Sequence, residues 1–313
     1  MGFLAVIPSI LVFLLIFSTL IIVHEFGHYY AAIKSGVKVE EFGLGMGKKL
    51  YGYQRGETEF TLNLIPFGGF VRMLGEEEGS KDPRSFSQAK LHHRMIITLA
   101  GVFMNFVMAI AFLTVLFTVG TDPILVSQAD VERAYENGQL AFSVEGVRMT
   151  PDEIKALENP NAQVVFEYLE AVQAPFPQSI ILATTETVRI SWAVLEKASE
   201  IPVELVQNLR VPEGLAGPVG IAEVTHQILP QGFMALLKLT ALLSISLAVM
   251  NLLPIPALDG GRFIFQIFEL MLKPFGIKPN EKWENYAHVF GFVLLMGLLL
   301  LITWNDISRV FFS

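Results

Sequence analysis

Four long apolar stretches constrain the fold of this 313-residue chain more than any other feature. They cover residues 3–33, 95–120, 233–253 and 286–304. Each is long enough to cross about 30 Å of hydrocarbon as an α-helix. Because 52% of the residues are hydrophobic and only 17% are charged, the composition indicates an integral membrane protein rather than a soluble domain. We therefore predict a polytopic α-helical membrane protein with four transmembrane helices.

The first apolar stretch contains the sequence HEFGH at His24–His28. Residues four apart lie on nearly the same face of a helix, so both imidazoles can reach one metal ion while Glu25 projects close to its water. Ionisable groups at membrane depth are costly unless they are paired, so their presence indicates a functional metal site. The alternative is a chance match, which would also have to fall inside a membrane span.

Cysteine is absent, which excludes disulfides, thiolate nucleophiles and thiolate metal ligands. A metal bound by His24 and His28 therefore takes its remaining protein ligand from His, Asp or Glu. Asp259, in the sequence NLLPIPALDGGR at the end of the third stretch, is a candidate. Taken alone, Asp259 is better interpreted as a helix cap, with Gly260-Gly261 as a C-terminal stop. Two histidines and one carboxylate form a catalytic zinc set with a position left for water, which favours the ligand interpretation.

The charges are unevenly distributed along the chain. Residues 34–94 carry ten Lys/Arg and eight Asp/Glu, whereas residues 121–230 carry six and sixteen. The positive-inside rule places residues 34–94 in the cytoplasm and residues 121–230 outside, with both termini outward. The metal site then lies near the cytosolic side of the membrane. The net charge is −8, and no charge feature of the sequence suggests nucleic-acid binding. No nucleic-acid partner is therefore expected.

The cytosolic segment at about residues 40–91 has strand periodicity. Residues 59–64 alternate polar and apolar, and residues 54–57 supply a turn that joins them to a strand at residues 49–53. Proline and paired glycine in residues 65–72 are expected to break the ladder. A strand edge beside a metal site could bind a substrate backbone, and a plain cytosolic hairpin fits the pattern equally well.

Residues 121–230 are long enough for one small α+β domain outside the membrane. Residues 144–147 resemble a strand and turn, and Thr150 begins a helix as its N-cap. Residues 179–182 and 187–193 are further candidate strands. The domain plan is therefore residues 1–120 with the first two spans, the outer domain 121–230, and residues 231–313 with the last two spans.

HEFGH, GGFVRM and NLLPIPALDGGR, in this order, resemble the site-2 protease family of intramembrane zinc metalloproteases, in its bacterial RseP-like branch. Three further stretches fit the same family: His93–Gly101 followed by Asn105, Gly217–Ala222, and Trp304–Ile307. The likeness covers all four spans and the first cytosolic loop. It implies an enzyme of the bacterial inner membrane that cleaves transmembrane segments of other membrane proteins after a different protease has trimmed them.

Carried over position by position, the resemblance implies one Zn²⁺ per chain. It makes His24, His28 and Asp259 the zinc ligands and Glu25 the catalytic base. Substrate-binding roles fall on Asn251, on the β-loop residues and, with a packing role as the alternative, on Asn105. The β-loop residues are Phe67, Gly68, Gly69, Phe70 and Val71. His92, His93, His226 and His288 match no ligand position and are expected to be interfacial or structural.

The chain departs from the family pattern in two places. Ala100-Gly101-Val102 stands where many relatives have Ala-Gly-Pro. Relatives in this branch also carry PDZ domains outside the membrane, and residues 138–157 resemble only the middle of one. The preceding glycine-rich stretch and the peptide-binding loop are not recognisable. A degenerate PDZ-like domain is therefore expected at 121–230.

Other functions remain open on the sequence alone. A catalytically silent scaffold of the same family is the main alternative, although such a protein would be expected to lose a ligand or Glu25. Membrane metalloproteases of the HtpX or CAAX-processing type take their third ligand from a Glu shortly after HExxH, and here the next acids are Glu40 and Glu41. A metal transporter would need polar residues in several spans. Sigma-factor control, pheromone or signal-peptide clearance and sporulation fit equally well as the physiological role.

Overall fold

The computed structural model describes residues 3–76, 80–126, 128–144, 147–150, 153, 164–208, 215–275 and 281–312. The helices in these ranges are α1 (Phe3–Lys34), α2 (Leu91–Val119), α3 (Gln128–Glu136), α4 (Phe176–Asn208), α5 (Pro218–Ile228), α6 (Phe233–Leu252), α7 (Asp259–Leu272) and α8 (Glu281–Phe312). The strands are β1 (Val39–Arg55), β2 (Thr58–Met73), β3 (Leu140–Val144), β4 (Val147–Met149) and β5 (Val164–Tyr168). The chain forms two compact units, one of residues 1–109 with 194–313 and one of residues 110–193.

Four helices in the described ranges are long and apolar enough to cross a membrane. They are Ile7–Lys34, Leu91–Val119, Phe233–Leu252 and Tyr286–Arg309. They coincide with the four stretches predicted from hydropathy, so the prediction that these stretches form four long apolar helices is confirmed. The second span begins four residues before the predicted start at residue 95, because the polar first turn of α2 continues the helix beyond the apolar stretch.

β1 and β2 form the predicted hairpin, and it is longer than expected. Residues 41–44 of β1 pair with residues 59–62 and also with residues 69–72 of β2. This double pairing is possible because β2 bends between the two segments, where Gly68 has φ +86°. The expectation that residues 65–72 break a regular ladder is confirmed, because the pairing shifts register between Ile65 and Gly69. β2 absorbs the proline and glycines through register shifts and continues to Met73.

The hairpin packs on α1 through aromatic rings. The ring of Tyr29, one residue after HEFGH, lies 5.6 Å from Phe42 and 5.7 Å from Phe60, both edge to face. Such pairs add about 0.5–1.5 kcal/mol each to the burial of their area. A buried cluster continues the contact from α1 through the strands to α2: Ala31, Ala32, Val37, Val39, Met73, Phe86 and Ile97. The strands are thereby fixed beside the metal motif.

The unit of residues 110–193 contains a three-stranded antiparallel sheet in the order β4-β3-β5. Its small core is formed by Ala134, Leu140 and Phe142. The candidate strands at 179–182 and 187–193 are wrong, because both segments belong to the helix α4. Their β-branched residues suggested strands, but the helix buries Ala183, Thr187 and Ile190 at helical spacing.

The expected helix start at Thr150 is partly visible. The Thr150 hydroxyl and backbone N–H both donate to Glu153, and the Glu153 N–H returns a bond to the hydroxyl, which is a capping box. Residues 151–152 and 154–163, on which the rest of the predicted helix would fall, lie outside the described residues. The helix and sheet fit a small α+β domain, while its PDZ-like character stays a prediction.

Two family-like motifs far apart in the sequence meet at the start of α5. The Asp306 carboxylate on α8 is fully buried and its Oδ2 accepts hydrogen bonds from the N–H groups of Gly217 (2.9 Å) and Gly220 (2.8 Å). The α5 N-terminus has no cap from its own side chains, so Asp306 serves as its cap from another helix. A Cβ at Gly220 would lie 3.0 Å from this carboxylate, which explains the small residue there.

Replacing Asp306 tests this cap. We expect D306A to lower the free energy of unfolding by about 1–2 kcal/mol, because two N–H groups lose their acceptor. D306N keeps an acceptor oxygen and should lose less. The measurement is thermal unfolding in detergent. Equal loss in both variants, or none in either, would contradict the capping role.

Candidate metal centre

The two histidines of α1 point into the interior of the larger unit and are held there by α2. Each is only 8% exposed. His28 donates from Nδ1 to the backbone carbonyl of Ile97 at 2.8 Å, which leaves its Nε2 free to bind a metal. The Nδ1 of His24 lies 3.2 Å from the side-chain amide of Asn105. Each ring is therefore oriented by a contact at Nδ1, the nitrogen that faces away from the candidate metal position.

Asp259 reaches the same point from the first turn of α7. This helix is attached to α2 by two polar contacts. Gln266 donates to the Thr98 hydroxyl at 2.9 Å, and Arg94 forms a 2.6 Å ion pair with Glu269. Because α2 also holds His24 and His28, a single helix positions all three candidate ligands.

Three ligand atoms converge with the spacing that a tetrahedral zinc ion requires. The distances are 3.2 Å between the two Nε2 atoms, 3.1 Å from His24 Nε2 to Asp259 Oδ2 and 3.3 Å from His28 Nε2 to Asp259 Oδ2. Tetrahedral ligands with bonds of about 2.0–2.1 Å lie about 3.4 Å apart. Within the described ranges this is the one cluster of its kind, and Asp259 Oδ2 is buried there without a hydrogen-bond partner. The residues present therefore fit a zinc ion.

The centre depends on a backbone contact between α1 and α2. An ideal Cβ at Gly101 would lie 2.3 Å from His28 Nε2 and 2.8 Å from His24 Nε2, and one at Gly27 would lie 2.3 Å from the Ala100 carbonyl oxygen. Side chains at either position would separate the helices or fill the centre. Gly27 and Gly101 were assigned no role from the sequence, although small residues inside two apolar helices are a known signal of close packing.

Glu25 and the sheet edge border the same cavity, which has a volume of about 420 Å³. The Glu25 side chain is partly buried, and its Cγ lies 3.2 Å from the position that a Cβ at Gly69 would take. Gly68, Phe70 and Val71 line the cavity with Gly69, and Asn251 lines it from the end of α6. The predicted site residues on α1, α6, α7 and β2 are thus brought together.

Two of the predicted substrate contacts are not found in the cavity lining. The side chain of Phe67 lies outside the part of the chain that the structure describes. Asn105 is fully buried against His24 and does not line the cavity, so its substrate contact stays a prediction. Arg262, which the sequence analysis left without a role, does line the cavity and forms an ion pair with Glu76. That pair joins α7 to the loop after β2.

Substituting Gly101 tests the helix contact. We expect G101A to lose most of its bound zinc, because the new methyl group falls on the nitrogens that would bind the metal. Alanine favours a helix more than glycine, so a loss cannot come from helix propensity. The matched control is G297A on α8, where a Cβ has open space. Zinc per chain is measured by elemental analysis of the purified protein, and a full complement in G101A would contradict the contact.

Known proteins that are similar to this chain are zinc metalloproteases, which agrees with a site whose residues fit a zinc ion. Residues 12–298 match the model of peptidase family M50. A Clostridium perfringens protein named as a zinc metalloprotease is 34% identical over 94% of this chain and 97% of its own length. The regulator of sigma-W protease RasP from Bacillus subtilis is 27% identical over 97% and 99% of the two chains.

Zinc metalloprotease RasP of Bacillus licheniformis is 28% identical over 97% of this chain and 99% of its own length. That alignment spans 425 positions, more than the 313 residues of this chain, so the relative has residues that this chain lacks. The family match covers most of the chain, and relatives align along nearly their whole length. This chain therefore belongs to peptidase family M50, the site-2 protease family, and is a metalloprotease.

Proposed function

We propose that this protein is an intramembrane zinc-dependent endopeptidase that cleaves transmembrane segments of other membrane proteins. The observation that supports this most is the triangle of ligand atoms from His24, His28 and Asp259 beside Glu25. Two of these ligands and Glu25 belong to a helix that is apolar enough to span a membrane. A hydrolytic centre on such a helix is suited to substrates that are themselves in the membrane.

In this proposal His24, His28 and Asp259 hold one Zn²⁺, which supplies Lewis acidity for the scissile carbonyl. Glu25 is the general base. It lines the cavity next to the ligands, accepts a proton from the attacking water and delivers it to the leaving amine nitrogen. Asn251, on the α6 side of the same cavity, is proposed to hold the substrate by donating a hydrogen bond from its amide.

Asn105 is proposed to orient His24. A His24 ring that binds metal through Nε2 carries its hydrogen on Nδ1 and needs an acceptor there. The Asn105 Oδ1 atom is buried without a partner, and a turn of the amide plane would present it to that N–H. Partners of this kind fix the tautomer of a metal ligand and raise its basicity.

The edge of β2 is proposed to bind the substrate backbone. A substrate helix hides its carbonyls in hydrogen bonds, so the segment must unwind before hydrolysis, and its freed backbone groups need new partners. Residues 69–72 pair with β1 on one side, and no second strand of the described residues covers their other side. Gly68–Val71 border the cavity that contains Glu25. An extended substrate paired to this edge would present its backbone to the metal centre.

The distribution of basic residues supports an orientation with the metal centre near the cytosolic side, and the family resemblance implies that the membrane is the bacterial inner membrane. Residues 121–230 would then lie outside; they include most of the smaller unit, in which the PDZ-like domain is proposed, and they link the membrane parts 1–120 and 231–313 along the chain. The name of the Bacillus subtilis relative points to membrane-bound regulators of sigma factors as one substrate class. A prior cut by another protease is part of the proposal, with the outer domain as a size filter.

Replacing Glu25 separates catalysis from metal binding. We expect E25Q to lose proteolysis by several orders of magnitude, because the amide cannot take the water proton, while it keeps one zinc per chain. The purified protein in detergent is incubated with a panel of single-span substrates, with and without a zinc chelator. Activity in E25Q would exclude its role as base. Zinc-free wild-type protein would favour the silent scaffold instead.

The size filter gives a second prediction. A substrate whose outer domain has been removed should be cleaved at least about tenfold faster than the intact substrate, because the bulky domain cannot pass residues 121–230. The comparison uses one transmembrane segment with and without a folded outer domain in reconstituted vesicles. Equal rates for the two substrates would rule out the filter and leave the protease assignment intact.

A further inference from the structure

The turn that precedes Asp259 is strained. Ala257 has φ +81°, and it is the one non-glycine residue with positive φ in the described part of the chain. This left-handed region is unfavourable for a side chain with a Cβ and persists where the surroundings hold it. Ala257 lies two residues before Asp259, so its conformation determines the direction in which the chain enters α7.

His288 holds this turn from another helix. The Ala257 N–H donates to Nδ1 of His288 on α8 at 2.8 Å. One turn further along α8, an ideal Cβ at Gly291 would lie 2.1 Å from the Pro256 carbonyl oxygen, so the α8 backbone itself rests against the same segment. The ring of Phe265 lies 5.7 Å from that of His288 and limits its movement. Two successive turns of α8 therefore fix the strained residue.

The contact requires one form of the histidine. Because Nδ1 accepts from a backbone N–H, it carries no hydrogen, and the hydrogen lies on Nε2. Nε2 is buried without a hydrogen-bond partner, and Glu284 Oε1 is 3.9 Å away. Leaving the buried Nε2–H donor unpaired is costly. The orientation of the ring is therefore explained by the hydrogen bond at Nδ1 and not by a contact of Nε2.

The geometry points to His288 as a positioning residue: it holds Ala257 in its left-handed conformation and thereby places the Asp259 carboxylate on the metal. This inference rests on the proposed metal set. His288 does not contact the ligands themselves, and its effect on zinc passes through the backbone of the turn. The side chain was expected to be interfacial or structural, and its contact with the turn gives that general expectation a specific role.

A pair of polar substitutions tests the inference. Asparagine carries an acceptor oxygen near the position of Nδ1, whereas glutamine carries it near Nε2. We expect H288N to keep most of the zinc affinity and H288Q to lose about tenfold, at the lower end of the loss seen when residues that orient metal ligands are replaced. Affinity is measured by competition with a chelator, and the visible spectrum of the Co²⁺ form reports the coordination geometry. Equal affinities and spectra in the two variants would overturn the inference.

A second substitution addresses the strain directly. Glycine adopts positive φ without steric cost, so A257G should need less help from His288. We expect H288Q/A257G to recover zinc affinity relative to H288Q, and A257G alone to bind as the wild type does. No recovery in the double variant would overturn the inference. V293A, an exposed position further along α8, is the control for effects of substitution in this helix.

The same measurements distinguish failure of the inference from failure of the metal set. Loss of zinc in D259A together with unchanged affinity in H288Q overturns only the role of His288. Wild-type affinity in D259A overturns the metal set, and the inference fails with it. Thermal unfolding of every variant shows whether a change in zinc affinity accompanies a general loss of structure.

Discussion

The close approach of α1 and α2 at Gly27 and Gly101 is the contact on which the metal centre depends. It brings the Ile97 carbonyl within 2.8 Å of His28 and leaves no room between the helices for a side chain. Without the hydrophobic effect that drives helices together in water, packing of small residues is a main source of helix association in lipid. The same contact therefore stabilises the helix pair and shapes the site between them.

Backbone packing recurs where α7 begins. An ideal Cβ at Gly260 would lie 2.3 Å from the carbonyl oxygens of both Leu252 and Leu253. One at Gly261 would lie 2.3 Å from the carbonyl oxygen of Ile255. The backbone of the turn between α6 and α7 thus packs tightly against the start of α7 at the membrane border. Irregular backbone at such depth is tolerated where protein encloses it, and here the enclosed turn carries the candidate metal ligand Asp259.

Part of this architecture is readable from the sequence. Long apolar stretches predict the spans, and the spacing of His24 and His28 predicts a shared face, because both depend on local periodicity. The β-rich loop follows from its alternation. The length of β2 does not, since its pairing depends on a bend at Gly68 that lets both halves reach β1. α4 was missed because β-branched residues favour strands in isolation, whereas burial of one face decides the outcome in the fold.

The site shows the same division. Glu25 and Asp259 are recognisable by motif, while the roles proposed for Gly101, Asn105 and His288 depend on contacts between residues distant in the chain. Asp306 is a similar case, since a carboxylate on the last span caps a helix that begins at residue 218. Such pairings need three-dimensional coordinates or covariation, because no local pattern specifies a partner 30 to 90 residues away.

The last span, α8, is in contact with the rest of the protein over only a small part of its described surface. Only 6% of the most apolar window of α8 is buried, while Gly291 and Asp306 are packed against protein. At 1.5 Å per residue these two points are about 22 Å apart, less than the roughly 30 Å of the hydrocarbon layer. Protein contacts therefore hold α8 near these two points, one of which supports the turn before Asp259, and most of the helix surface between them is exposed to the surrounding lipid.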